Sequence, residues 1–275
     1  MPGPEMLARL RPSLPASSHQ APSSDRRQNR VLVMGICLAD KPHNAEAIIA
    51  NLSESDSYSV THCWAALGTS RPSGRLLESV RLQTVLPIPK FTVINRLLET
   101  VDLSNYRYVI FSDDDIHLPP HFLDDFLRLQ ENLDFRLAQP ARTSASYIDH
   151  AIVEQRPEAL ARQTRFVECG PLVSAHESVY ELLIPFEPES PMGWGYENLW
   201  SYRLGNRGFQ MGIIDAVPIG HWMRAPQSYY NAESARGDMD HLLRVYPHRQ
   251  MLDCLQTLQT IYKPPGSADR PTTKN

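Results

Sequence analysis

The stretch Val31-Leu-Val-Met-Gly-Ile-Cys37 carries no polar side chain, and this limits the fold more than any other feature. Side chains of a strand alternate between two faces, so an uninterrupted apolar strand is buried on both. The run therefore predicts a central strand of a sheet covered by helices on either side. It extends only to Ala39, far short of the roughly 20 residues a membrane-spanning helix needs.

Beyond this strand the segments alternate in kind. A helical stretch from His43 to Leu52, with Ala47, Ile48 and Ile49, precedes a second strand near Tyr58 to Leu67. Residues 91–101 form an amphipathic helix carrying Val93, Ile94, Leu97 and Leu98, and Tyr106 to Ser112 reads as a strand. Pro119 and Pro120 open another helix, where Phe122, Phe126, Leu129 and Leu133 share a face. Alternating strands and helices with short connections predict an α/β fold, a mainly parallel sheet with helices on both faces. Further on, Ser174 and Glu177 fit a capping box before Val179, Tyr180, Leu182, Leu183 and Ile184, a helix that Pro185 ends. Met192 to Trp200 is a glycine- and aromatic-rich turn entering a helix closed by Gly205 and Gly208. Phe209 to Asp215 reads as a strand, and helices are expected beyond residue 230.

With 275 residues, 42% of them hydrophobic, the chain can bury one large core. The expectation is a single domain over residues 30–262. It is flanked by a disordered leader (1–29) and tail (263–275), rich in Pro, Ser and other small or polar residues. A net charge of −4 supplies no basic field that would draw the chain to nucleic acid. The N-terminus has no charged stretch followed by an apolar one, so no secretory signal is read. Cys37, Cys63, Cys169 and Cys254 are scattered, without CxxC spacing. Reduced, buried thiols in a cytoplasmic protein are the expectation.

Three constellations carry chemistry. Asp113-Asp114-Asp115 ends the strand after Tyr106, where parallel sheets take their ligands. On extended chain Asp113 and Asp115 face one way and Asp114 the other. Two carboxylates on one side repel unless a cation joins them, and hard oxygen ligands favour Mn2+ or Mg2+. In Gly193-Trp-Gly-Tyr-Glu-Asn198, glycines let the backbone come close, and burial beside Trp194 and Tyr196 would make Glu197 a better proton acceptor. His221 follows a strand and a glycine; neutral imidazole coordinates manganese or zinc well.

In this order the three segments resemble GT-A glycosyltransferases over residues 30 to 225. Gly193-Trp-Gly-Tyr-Glu-Asn198 is similar to the Trp-Gly-Gly-Glu-Asn and Gly-Trp-Gly-Gly-Glu-Asp segments of polypeptide N-acetylgalactosaminyltransferases and β-1,4-galactosyltransferases. Val217-Pro-Ile-Gly-His-Trp-Met-Arg224 is similar to the Val-Gly-His-x-x-Arg stretch of the former group. The resemblance implies a GT-A fold and a nucleotide-sugar donor, with UDP-sugars favoured. It implies Asp115 and His221 as metal ligands, and Asp113 near the metal or the ribose. Glu197 becomes the acceptor-side base or the acceptor anchor. Asp114, Cys37, Asp40, Lys90, Asn95 and Trp194 complete the expected donor pocket. Asn198 stands where the galactosyltransferases carry their basic Asp, so Glu197 takes that part with inversion, or the reaction retains configuration. The acceptor (glycan, small molecule or protein) is not specified. Two rival readings are a metal-dependent phosphohydrolase using Asp113, Asp115 and His117, and a non-catalytic nucleotide or carbohydrate binder.

Overall fold

A computed structural model describes residues 29–225 and 230–264. Of the expected leader and tail, all but Asn29, Lys263 and Pro264 lies outside the described residues. One sheet contains β1 (Arg30–Leu38), β2 (Ser59–Leu67), β3 (Val80–Thr84), β4 (Tyr108–Asp113), β5 (Phe135–Arg142), β6 (Ala159–Thr164), β7 (Leu172–His176), β8 (Gln210–Ile219) and β9 (Thr257–Tyr262). Their order is β3-β2-β1-β4-β7-β5-β8-β6-β9. Strands β3, β2, β1 and β4 pair in parallel, as do β5 and β8. Strand β7 is antiparallel to both β4 and β5, and β6 to both β8 and β9. All the described strands except β6 and β7 thus share one direction, the mainly parallel sheet that the alternation predicts.

The helices are α1 (Ala45–Ser53), α2 (Gly74–Ser79), α3 (Lys90–Leu98), α4 (Phe122–Asn132), α5 (Tyr180–Leu183), α6 (Tyr196–Gly205), α7 (Ala232–Val245) and α8 (Met251–Cys254). Strand β1 explains why they lie on both faces. Val31, Val33 and Cys37 pack with Ile48 and Leu52 of α1 and Phe122 and Phe126 of α4. Leu32, Met34 and Ile36 pack on the opposite side with Phe91 and Ile94 of α3 and Leu199 and Trp200 of α6. Each such buried side chain contributes roughly 1.5–3 kcal/mol. Gly35 breaks the run because the Trp64 ring lies across it; a Cβ there would come within 2.5 Å of the ring.

Two local expectations are corrected. Ser174 is no helix cap: it lies inside β7, buried between β4 and β5. The short turn after β7 is instead opened by His176, whose Nδ1 accepts from Ser178 N at 3.2 Å. Beyond residue 230 the chain forms not only helices but the edge strand β9. No described helix is long and apolar enough to cross a membrane. The four cysteines are free thiols, three of them buried.

Candidate functional site

Beyond the carboxyl ends of β1, β2 and β4 opens a cavity of about 1020 Å³. Asp40, Lys90, Asp113, Asp114, Asp115, Trp194, Glu197 and His221 all line it. The fold brings these scattered residues together through a few backbone contacts. His117 and Gly220 exchange backbone hydrogen bonds of 2.9 and 3.0 Å, and this bridge lays the segment after β8 beside the segment after β4. His221 Nε2 then stands 3.3 Å from Asp115 Oδ1. Arg224 Nε donates to Asp115 Oδ2 at 3.0 Å. Burial alone would raise the Asp115 pKa, but His221 and Arg224 outweigh it and hold the carboxyl down at about 2.

Asp114 does not turn away from Asp115 as strict alternation would have it: the strand ends at Asp113, the chain bends over 114–115, and Arg224 pairs with both carboxylates. Asp114 also accepts from Leu38 N at 2.7 Å, and it is 1% exposed. Its carboxylate therefore ties β1 to β4 and anchors the segment that carries His221. Asp113 faces Lys90, with Nζ 2.6 Å from Oδ1. Burial would lower the Lys90 pKa, but Asp113 outweighs it and the ammonium is stabilised. Among the described residues no three His, Cys, Asp or Glu side chains gather closely enough to hold a metal by themselves. Asp115 and His221 form a two-donor pair, with Asp113 nearby on the same wall. The Nδ1 of His221 is buried, with no hydrogen-bond partner among the described residues.

A further part of the lining is built by the glycine-rich turn. Gly193 and Gly195 both have φ of 91°, and a Cβ on Gly193 would lie 2.1 Å from the Phe91 ring. Only glycine meets both demands. The turn sets Glu197 in the first turn of α6, where Oε1 accepts from Cys169 N at 3.2 Å. Glu197 is 8% exposed, and burial raises its pKa. Trp194 donates to the Tyr230 hydroxyl at 3.2 Å. Asn198 faces away: its amide donates to Arg249 O at 2.7 Å.

Cys37 and Asn95 do not reach the cavity. Cys37 is fully buried under α1, on the face opposite to Ile36. Asn95 clamps the Phe186 backbone, donating to its carbonyl at 2.8 Å and accepting from its N–H at 2.9 Å. Asp40 holds the turn after β2, accepting from Thr69 N and Ser70 N at 2.8 and 2.7 Å, and these bonds depress its pKa. His117 stacks on Trp222 at 4.4 Å instead of joining Asp113 and Asp115.

A second polar group lines the same cavity, and no sequence pattern points to it. Glu168, 5% exposed, pairs with Arg142 through Oε2 and with His150 Nδ1 through Oε1, the latter at 2.7 Å. Arg142 ends β5 while His150 and Glu168 lie on separate loops, so no local pattern joins them. Arg224, by contrast, closes the Val217–Arg224 segment and is legible there.

No protein-family model matches this chain, and no curated protein matches it in sequence. Solved structures do match in shape. S. aureus TarS 1–349 in complex with UDP-GlcNAc superposes with a TM-score of 0.52 at 9% identity, covering 78% of this chain and 65% of that one. The complex of the same TarS fragment with UDP gives 0.46 at 8% identity, covering 72% and 61%. The fold is of the GT-A type. This chain spans just under two thirds of the TarS fragment, 65% of its length. At such identity the likeness concerns the fold, and the chemistry rests on the residues that line the cavity.

Proposed function

We propose that the protein is a glycosyltransferase moving a sugar from a nucleoside diphosphate donor, a UDP-sugar in the first instance, to an acceptor hydroxyl. The observation that carries this reading is the meeting of Asp113, Asp115 and His221 in one cavity beyond the ends of parallel strands. The UDP-GlcNAc bound to TarS on a similar fold supports the choice of donor.

Asp115 Oδ1 and His221 Nε2 suit a divalent cation, Mn2+ or Mg2+. One hard oxygen and one imidazole nitrogen lie 3.3 Å apart. Adjacent ligands at right angles, with bonds of about 2.1 Å, lie about 3 Å apart. The unpartnered Nδ1 leaves Nε2 as the ring atom turned to Asp115. A bound cation supplies positive charge to the leaving diphosphate. Lys90 adds a fixed positive charge on the same wall. Glu197 receives the acceptor hydroxyl as a hydrogen-bond acceptor, a step common to its two expected roles of base and anchor. Inversion is the proposed course, since a single displacement needs one proton acceptor opposite the leaving group.

A screen of UDP- and GDP-sugars for Mn2+-dependent release of nucleoside diphosphate tests donor and cation without knowledge of the acceptor. Release independent of Mn2+ would keep sugar transfer and remove the cation. Hydrolysis of p-nitrophenyl phosphate without sugar-nucleotide turnover would favour the phosphohydrolase. Nucleotide binding without turnover would leave only a binder.

A further inference from the structure

The proposed transfer needs a group to take the acceptor's proton, and Asn198 cannot do so. Glu197 lies deep, its Oε1 already accepting from Cys169 N. His150 is placed differently. Its ring lines the cavity and is 32% exposed, while the carboxylate behind it, Glu168, is buried. Glu168 is fixed by Arg142 on its other oxygen and by the backbone that Gln139 holds at Glu168 N. The ring also rests on Phe166, with centroids 4.9 Å apart. When Nδ1–H donates to Glu168, the tautomer is set and the Nε2 lone pair becomes the free acceptor on the exposed side. A base oriented by a buried carboxylate is the arrangement that proton-abstracting histidines use on unrelated folds.

We propose that His150 Nε2 accepts the proton of the attacking hydroxyl, with Glu168 as its positioning residue and Glu197 as the acceptor anchor. The assignment rests on the glycosyltransferase reading. In the step, the acceptor oxygen forms a bond to the anomeric carbon as that carbon's bond to the diphosphate oxygen breaks. The bonding pair leaves with the nucleoside diphosphate, and the acceptor's proton passes to Nε2. The resulting imidazolium faces Glu168, and its proton returns to solvent. Glu168, Glu197 and Asp149 surround the ring, with Arg142 beyond Glu168. The hydrogen bond to Glu168 outweighs burial and raises the His150 pKa.

The test uses UDP-GlcNAc, and failing that UDP-glucose, UDP-galactose or GDP-mannose, with Mn2+ and water as acceptor. Wild-type hydrolysis should fall as pH drops through a limb above the ordinary histidine value of about 6.5. That limb should coincide with the His150 pKa read by imidazole NMR. His150→Gln should lose at least ~100-fold in rate while keeping UDP affinity. Added imidazole should partly restore His150→Ala, which a purely structural residue would not permit. Glu168→Gln should move the limb to lower pH. Glu197→Gln should leave the pH limb where it is in wild type, since its amide oxygen still accepts and the limb belongs to His150. A folded His150→Gln within threefold of wild type, or a His150 ring carrying its neutral proton on Nε2, overturns the assignment while the glycosyltransferase reading stands. A wild-type protein that neither binds UDP nor releases it from any of these donors overturns both.

Discussion

Asp115 carries two partners of different kinds, the permanent cation of Arg224 and the imidazole of His221. Arg224 cannot leave without exposing Asp114 as well, whereas His221 can give up its contact to a cation. If the two donors serve one ion, Asp115→Asn and His221→Ala should each weaken Mn2+-dependent UDP binding at least ~10-fold. The double variant should be little worse than either, because residues serving one ion are not additive. Calorimetry with and without Mn2+ checks this; additive losses, or UDP binding indifferent to Mn2+, would remove the shared site. The parity expected over Asp113 to Asp115 fails because the strand ends at Asp113 and the bend after it brings Asp114 and Asp115 to one guanidinium. Cys37 misled for a different reason. In a strand apolar on both faces nothing in the sequence says which parity meets the cavity, and Ile36 and Leu38 have it. Asn95 misled because an amide that clamps the Phe186 backbone looks, in sequence, like one awaiting a ligand.

At the scale of elements, periodicity placed α1, α3 and α4 to within a few residues, because each buries one apolar stripe on the sheet, while α6, buried almost all round, was bounded by its glycines. Strand β7 escaped. Its Leu-Val-Ser-Ala-His sequence is short and small, and its burial comes from β4 and β5 on either side rather than from its own pattern. The far half of the sheet depends on a buried ion pair. Arg162 binds Asp215 at 2.9 Å through two nitrogens, donates to the Ile152 and Glu154 carbonyls, and both partners are 0% exposed. Asp215→Ala should cost about 3–5 kcal/mol by stranding the guanidinium. That corresponds to a fall of roughly 10 °C in melting temperature for a domain of this size. A shift under 2 °C would mean water reaches the pair. Gly193→Ala should also be destabilising, by at least ~1–3 kcal/mol, since it meets both a positive φ and the Phe91 ring. Because Glu197 follows that turn, UDP release from a sugar donor should drop further than melting temperature alone accounts for. Unchanged turnover in a stable variant would detach the turn from the chemistry.

For the molecule as a whole, the sheet's two ends behave differently. The carboxyl ends hold the cavity, and its strand-borne residues were readable, while His150, Glu168 and Arg142 come from loops and the end of β5 that only tertiary folding assembles. Away from the cavity sit two histidines kept neutral. Burial pushes His62 and His176 down to about 4, and neighbouring arginines reinforce this. Below about 6.5 the unfolded chain binds protons that the folded chain refuses, so stability falls as pH drops from there toward 4. His150, with its raised value, works in the opposite sense. Its stabilisation is present below the unfolded value and lost as pH rises through the folded one. Asp114, Glu197 and Asp215, raised by burial, also oppose the loss, so the wild-type slope is a sum of both signs. A difference between variants isolates one histidine. His176→Asn keeps a neutral acceptor for Ser178 N, since Asn caps well. Between pH 7.5 and 5, urea unfolding should show this variant losing less stability than wild type, by on the order of 1 kcal/mol. Equal losses in the two proteins would mean that His176 takes up its proton in the folded state.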